Sequence, residues 1–116
     1  MILRQLTDEI SLKPINNIKV GALSNLVDNS QQTIVTLTAS GDTYIYRISC
    51  SGDVYAKYQL YIGDALKETK RVSERSVDFF FLTPLLLNDG EKIDVKVIHA
   101  YTTETPNFDA TIYSRV

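Results

Sequence analysis

Apolar and polar side chains alternate one by one through much of this chain. Between Lys92 and Val97 every second residue is a branched apolar one, and the same period of two recurs in segments 33–39, 54–62 and 108–113. Successive side chains of a strand point to opposite faces of a sheet, so this period indicates half-buried strands. The helical period of 3.6 is not found after Pro14. The pattern therefore predicts an all-β chain.

Turn residues separate the alternating segments. The clusters are Ser40-Gly41-Asp42, Gly52-Asp53, Gly63-Asp64 and Asn88-Asp89-Gly90. Gly and Asp are favoured in tight turns, because Gly accepts positive φ and Asp accepts bonds from nearby backbone N–H groups. Short strands at intervals of roughly 8–12 residues predict an antiparallel sandwich or barrel. We expect about eight strands in such a fold.

Two further details of the strand pattern are testable. Segments 43–51 and 54–62, joined by Gly52-Asp53, are predicted to form a β-hairpin. The first of these strands places Tyr44, Tyr46, Ile48 and Cys50 on one apolar face. Pro84 is expected to end the strand that begins near Val77.

The chain divides into two parts by regularity. Residues 33–116 carry the strand pattern and form the predicted sandwich domain. Residues 1–32 are predicted to be an N-terminal arm and loop, with a strand over 16–20. Ile2, Leu6 and Ile10 recur every four residues, so residues 1–13 could also form a short helix.

Composition excludes several classes of function. The formal net charge is −2, with 12 Lys and Arg scattered among 14 Asp and Glu, so no basic face for nucleic acid is expected. No apolar run approaches the roughly 18 residues of a membrane span. The early acidic pair Asp8-Glu9 argues against a secretory signal peptide, and a single cysteine excludes an internal disulfide. Synthesis in a reducing cytoplasm is expected.

No set of residues has the pattern of a catalytic or metal site. His99 is the only histidine and Cys50 the only cysteine, too few for a common zinc ligand set, so both are expected to be structural. The sequence therefore predicts no enzyme activity, no cofactor and no metal.

The turn aspartates leave two alternatives open. Asp42, Asp53, Asp64 and Asp89 all occupy turns, where Asp needs no functional explanation. If turns meet in space, a carboxylate pair could serve a glycosidase, or a loop cluster could hold calcium.

Outward-facing aromatic residues are the better candidates for a binding surface. Tyr55, Tyr61 and Tyr113 occupy outward positions, with Lys57 and Lys96 beside them, and these five residues are the predicted interface. Tyrosine offers a large contact area at small entropic cost. The same rings could stack on a sugar, although a glycan site would be better supported by Trp, which is absent.

Segments 43–62, 85–101 and 107–113 resemble small jelly-roll domains found in virion proteins of tailed bacteriophages. They read TYIYRISCSGDVYAKYQLYI, LLLNDGEKIDVKVIHAY and NFDATIY. The last two are also similar to the closing strands of complement and tumour-necrosis-factor jelly rolls, except that Glu91 follows Gly90. The resemblance implies a jelly-roll-like β-sandwich of about eight strands in a non-enzymatic structural protein of the virion (tail, collar, fibre or capsid decoration). Residues 1–32 would then be an arm for attachment or oligomerisation. Its partners would be other virion proteins and further copies of itself, commonly as a trimer, and a module that binds a host-surface glycan is the alternative.

Overall fold

The computed structural model describes residues 15–24, 31–71, 76–101 and 105–116. These residues form eight β-strands and no helix, so no described segment is a helix that could cross a membrane. The strands in chain order are β1 (Asn17–Leu23), β2 (Gln32–Thr38), β3 (Thr43–Gly52), β4 (Lys57–Ile62), β5 (Ala65–Arg71), β6 (Ser76–Leu87), β7 (Lys92–Ile98) and β8 (Phe108–Arg115).

The strands form two four-stranded antiparallel sheets. Sheet A has the order β1-β8-β3-β6, and sheet B has the order β2-β7-β4-β5. Every connection except that from β4 to β5 passes from one sheet to the other, which gives the topology of a jelly roll. The predicted all-β, jelly-roll-like sandwich of eight antiparallel strands is confirmed.

The core lies between the two sheets and follows the period of two. Ile93, Val95 and Val97 of β7 are fully buried, as are Ala110 and Ile112 of β8. The largest fully buried side chains come from both sheets: Tyr58, Phe79, Phe108, Ile45, Ile48, Leu60, Leu87, Ile93 and Ile112. Each of these contributes about 1.5–3 kcal/mol of hydrophobic stabilisation, so packing of the two inner faces is the main source of stability.

The predicted hairpin between segments 43–51 and 54–62 is wrong. β3 lies in sheet A and β4 in sheet B, so the chain crosses between the sheets at Gly52-Asp53. Asp53 fixes the crossing to the start of β8: its N–H donates to the Asn107 carbonyl (3.1 Å), and its Oδ2 accepts from the Asn107 N–H (3.0 Å). Alternation reveals strands but not their partners, and a Gly-Asp pair serves a crossing as well as a hairpin.

The predicted apolar face of β3 is also only partly correct. Pairing with β6 and β8 shifts between Ile45 and Arg47, so Tyr46 is an extra residue in a β-bulge. A bulge reverses which residues face inward. Ile48 and Cys50 are buried as predicted, but before the bulge Ile45 is the inward residue and Tyr44 is exposed.

Pro84 does not end its strand, because β6 continues to Leu87. Ile45 pairs with Leu85 and Arg47 with Phe80, which leaves residues 81–84 opposite the bulge in β3. Proline has no N–H to donate and is tolerated at bulges and on edge strands. β6 is an edge strand of sheet A, so Pro84 meets both conditions.

The segment predicted as an arm contains β1. This strand covers the predicted residues 16–20 except Asn16, extends to Leu23 and pairs with β8 along its length. Residues 1–13, for which an arm or a short helix is predicted, lie outside the described residues.

The predicted turns at Ser40–Asp42, Gly63-Asp64 and Asn88–Gly90 are confirmed and lie at one end of the sandwich. Gly41, Gly63 and Gly90 have φ of 80°, 61° and 85°. The Gly90 N–H donates to the Ala39 carbonyl (2.8 Å), and the Gly63 N–H to the Lys92 carbonyl (3.0 Å). The crossing at Asp53 and the ends of β5 and β7 lie at the opposite end.

Candidate functional site

His99 and Cys50 are both buried. His99 is 3% exposed, and its Nδ1 accepts a hydrogen bond from the Tyr101 N–H (3.2 Å). Burial raises the pKa of the Cys50 thiol to about 12, and the carboxylates of Asp78 and Asp109 act in the same direction. The thiol is therefore protonated at neutral pH, whereas a nucleophilic cysteine needs the thiolate.

Two of the four turn aspartates, Asp53 and Asp89, accept hydrogen bonds from backbone N–H groups. Asp89 Oδ1 accepts from the Gly41 N–H (2.7 Å) at one end of the sandwich, while Asp53 holds the crossing at the other end. Within residues 15–24, 31–71, 76–101 and 105–116, no three His, Cys, Asp or Glu side chains are grouped so that they could hold a metal ion. Asp53 and Asp89 therefore hold backbone segments that are distant in sequence.

Tyr61 and Lys96 lie together on the outer face of sheet B. The Lys96 ammonium is 4.5 Å from the centre of the Tyr61 ring. The Tyr61 hydroxyl accepts from Gln31 Nε2 (3.1 Å), and the same amide donates to Gln59 Oε1. Both predicted interface residues therefore already have partners within the chain, and Tyr61 is only half-exposed.

Tyr113 lies on the outer face of sheet A, on the other side of the molecule from Tyr61. The Arg47 guanidinium is 5.6 Å from the centre of its ring and also pairs with Asp78 (Nη2 to Oδ1, 3.0 Å). Tyr113 therefore belongs to a different surface, and the five predicted interface residues do not form one patch.

Tyr55 and Lys57 are at the end of the sandwich where β4 begins and β5 and β7 end. They line a depression of about 620 Å³, which we call the end pocket. Its lining residues are Tyr55, Ala56, Lys57, Arg71, Ile98, His99 and Ala100. Tyr55 is 58% exposed, and no acidic residue is among the described residues that line the pocket.

Exposed apolar side chains are concentrated on one sheet. Among the described large apolar residues that are exposed on strands, six belong to sheet A and only Leu66 belongs to sheet B. The six, which we call the apolar face, are Ile18, Val20, Tyr44, Phe80, Leu82 and Leu86. Phe80 and Leu82 are 71% and 88% exposed.

Strand pairing brings these residues into rows across sheet A. Ile18 pairs with Tyr113, Tyr113 with Arg47, and Arg47 with Phe80, so one row crosses all four strands. Tyr44 pairs with Leu86 in the neighbouring row. Ile18 and Phe80 thus lie on opposite edge strands of sheet A, with Tyr113 and Arg47 between them. Exposed apolar surface concentrated on one face marks a binding site in many soluble proteins.

The apolar face was not among the predicted sites, although the sequence contains a signal for it. Residues 79–82 read Phe-Phe-Phe-Leu without a polar interruption. Neighbouring residues of a strand point to opposite faces, so Phe79 and Phe80 cannot both be buried in a sandwich with one solvated side. Phe79 is fully buried and Phe80 is exposed. Because successive residues of this run are all apolar, the run predicts that large apolar side chains are exposed on the outer face of the sheet.

Comparison with known proteins gives no family for this chain: no protein-family model matches it, and no curated protein matches it.

Proposed function

We propose that this chain is a non-enzymatic structural module that acts through protein–protein contacts, and that copies of it associate through the apolar face of sheet A. The observation that carries the proposal is the concentration of exposed apolar side chains on that sheet. The resemblance of segments 43–62, 85–101 and 107–113 to jelly-roll proteins of phage particles supports a virion as the setting.

Burial of the apolar face would yield a substantial free energy. Phe80 and Leu82 are the most exposed of the large apolar residues, and hiding such side chains contributes about 1.5–3 kcal/mol each. The face spans four strands, or about 19 Å at 4.8 Å per strand, which is wide enough for a specific interface.

Charge on the face favours a second copy as the occupant. Arg47 and Asp78 form an ion pair at a distance of 3.0 Å on this face, which also carries Arg115 opposite Tyr44. An ion pair on each of two identical faces limits the repulsion that like charges would cause. Twisted sheets also pack face to face readily, at an angle of about 30°.

The proposal is tested by light scattering on the purified chain and on the double variant Phe80→Asp/Leu82→Asp. We expect the wild-type chain to be an oligomer and the variant to be a monomer. Two buried charges would weaken association by about 2 kcal/mol or more, or roughly 30-fold in the dissociation constant. Thermal unfolding should confirm that the variant remains folded, because both side chains are exposed.

Leu66→Asp is the matched control, since Leu66 is 50% exposed on sheet B. It should leave the oligomer unchanged. A monomeric wild-type chain, or equal loss of association in the control, would contradict the proposal. The proposal that the chain is a virion protein has a separate test. Mass spectrometry of purified particles should detect the chain, and its absence from the particles would contradict this proposal.

A carbohydrate-binding module is the second candidate, and the observation that favours it is the position of Tyr55 in the end pocket. Tyr61 does not support the same site, because six strand residues at about 3.3 Å each place it roughly 20 Å from Tyr55. A glycan site would therefore use Tyr55 without Tyr61.

A further inference from the structure

Two cations lie directly opposite one another at the end pocket. Lys57 of β4 pairs with Arg71 of β5 in an antiparallel ladder, so their side chains are neighbours on one face of the sheet. Like charges in this position are unfavourable. Among the described residues neither side chain makes an ion pair or a hydrogen bond, so nothing in that part of the chain neutralises them.

The wall of the same pocket contains a buried donor without a partner. Nδ1 of His99 accepts from the Tyr101 N–H, so a neutral ring carries its proton on Nε2. Nε2 is buried and has no hydrogen-bond partner among the described residues. Leaving a buried polar group unpaired is costly, and such groups in native proteins call for an explanation.

Tyr55 adds an aromatic surface beside these charges. Its ring is 58% exposed, whereas Ala56, which follows it, is buried. An exposed aromatic ring at the edge of a pocket offers its face to the C–H groups of a sugar, and a depression of about 620 Å³ is large enough for one or two sugar rings.

We propose that the end pocket binds a sugar that carries an oxyanion, either a carboxylate or a phosphate. Arg71 can bind such a group through two parallel N–H donors, and Lys57 adds a second positive charge. Tyr55 stacks on the sugar ring. Binding neutralises the pair of cations that the fold places side by side.

This inference does not depend on the association proposal. The end pocket is formed by β4, β5, β7 and the residues that flank them, whereas the apolar face lies on sheet A. Variants in one surface leave the other intact, so failure of either proposal can be told from failure of the other.

Titration calorimetry and amide chemical shifts can test the pocket with four probes: methyl glucuronide, glucose 6-phosphate, methyl glucoside and inorganic phosphate. We expect at least one charged sugar to bind and to shift the amides of Lys57 and Arg71. The neutral glucoside should bind at least tenfold more weakly, because it lacks the charge-assisted bonds. The charged sugar that binds more tightly identifies the natural oxyanion.

Variants assign the roles. Arg71→Gln and Lys57→Gln should each lower the affinity for the charged sugar about tenfold, while Lys67→Gln on the same strand should not. Tyr55→Ala should lower the affinity for the sugar several-fold, and Tyr44→Ala on sheet A should leave it unchanged. Failure of both charged sugars to bind would overturn the proposal, as would equal binding of the neutral glucoside. Equally tight binding of inorganic phosphate would overturn the sugar part of it.

Discussion

Replacement of Gly21 by alanine is expected to lower the free energy of unfolding by about 3 kcal/mol, near the upper end of the usual cost of overpacking. A Cβ at this position would lie 2.3 Å from the Ile34 carbonyl oxygen and 2.6 Å from Val35 Cβ. The obstacle is largely backbone, so it cannot rotate away. β1 of sheet A and β2 of sheet B would have to separate where the two edges meet.

Urea unfolding of Gly21→Ala measures this cost, and Lys19→Ala on the same strand is the control. Lys19 is exposed, so its truncation should change stability by about 0.5 kcal/mol or less. An unchanged midpoint for Gly21→Ala would mean that β1 does not pack against β2 as the structure shows.

The second large effect is a loss of stability at alkaline pH. Burial raises the pKa of the Cys50 thiol from 9.0 to about 12. Burial also raises the pKa of the Tyr58 phenol above its ordinary value, with Cys50, Asp109 and Asp53 adding to the effect. Above pH 9 the unfolded chain therefore loses a proton that the folded chain retains, and stability falls as pH rises. For Cys50 alone the slope is about 1.4 kcal/mol per pH unit, or roughly 3 kcal/mol by pH 11.

Other groups also titrate in this range, so variants isolate the two buried residues. Cys50→Ala should cost some stability at pH 7 through lost packing, yet its stability should fall less between pH 9 and 11. Tyr58→Phe should flatten the curve above pH 10, because it removes the phenol whose pKa is raised by burial. The Tyr58 hydroxyl is buried without a hydrogen-bond partner among the described residues, so its removal should cost little stability at pH 7. If the wild-type chain and both variants lose stability in parallel, these two groups do not control the alkaline transition.

The period of two predicted the fold class because burial of one sheet face requires an apolar residue at every second position of a strand. Ile93, Val95 and Val97 are the clearest case, since all three are fully buried as predicted. Turn residues were equally informative where a turn needs positive φ, as at Gly90.

Strand partners could not be predicted, for a physical reason. Gly52-Asp53 is compatible with a hairpin, but contacts distant in sequence decide the outcome: Asp53 bonds to Asn107, and a Cβ on Gly52 would lie 2.3 Å from the Phe108 ring. The bulge at Tyr46 likewise depends on pairing with two other strands. Neither contact can be predicted from the residues that surround it in the sequence.

The predicted interface residues lie on three separate surfaces. Tyr61 and Lys96 interact with one another on sheet B, Tyr113 lies beneath Arg47 on sheet A, and Tyr55 and Lys57 line the end pocket. Outward register identified these side chains as surface residues but could not group them, because grouping requires the strand order of each sheet. Phe80 was not predicted as an exposed residue, because it lies in an apolar run and not between polar residues.

Hydroxyl-radical footprinting across a range of protein concentrations tests the central claim most directly, because it reports the exposure of individual side chains. If copies associate through the apolar face, oxidation of Phe80, Leu82 and Tyr44 should slow as the concentration rises, while Leu66 and Tyr55 should react at constant rates. Constant rates at all five side chains, or protection of Leu66 alone, would contradict association through this face.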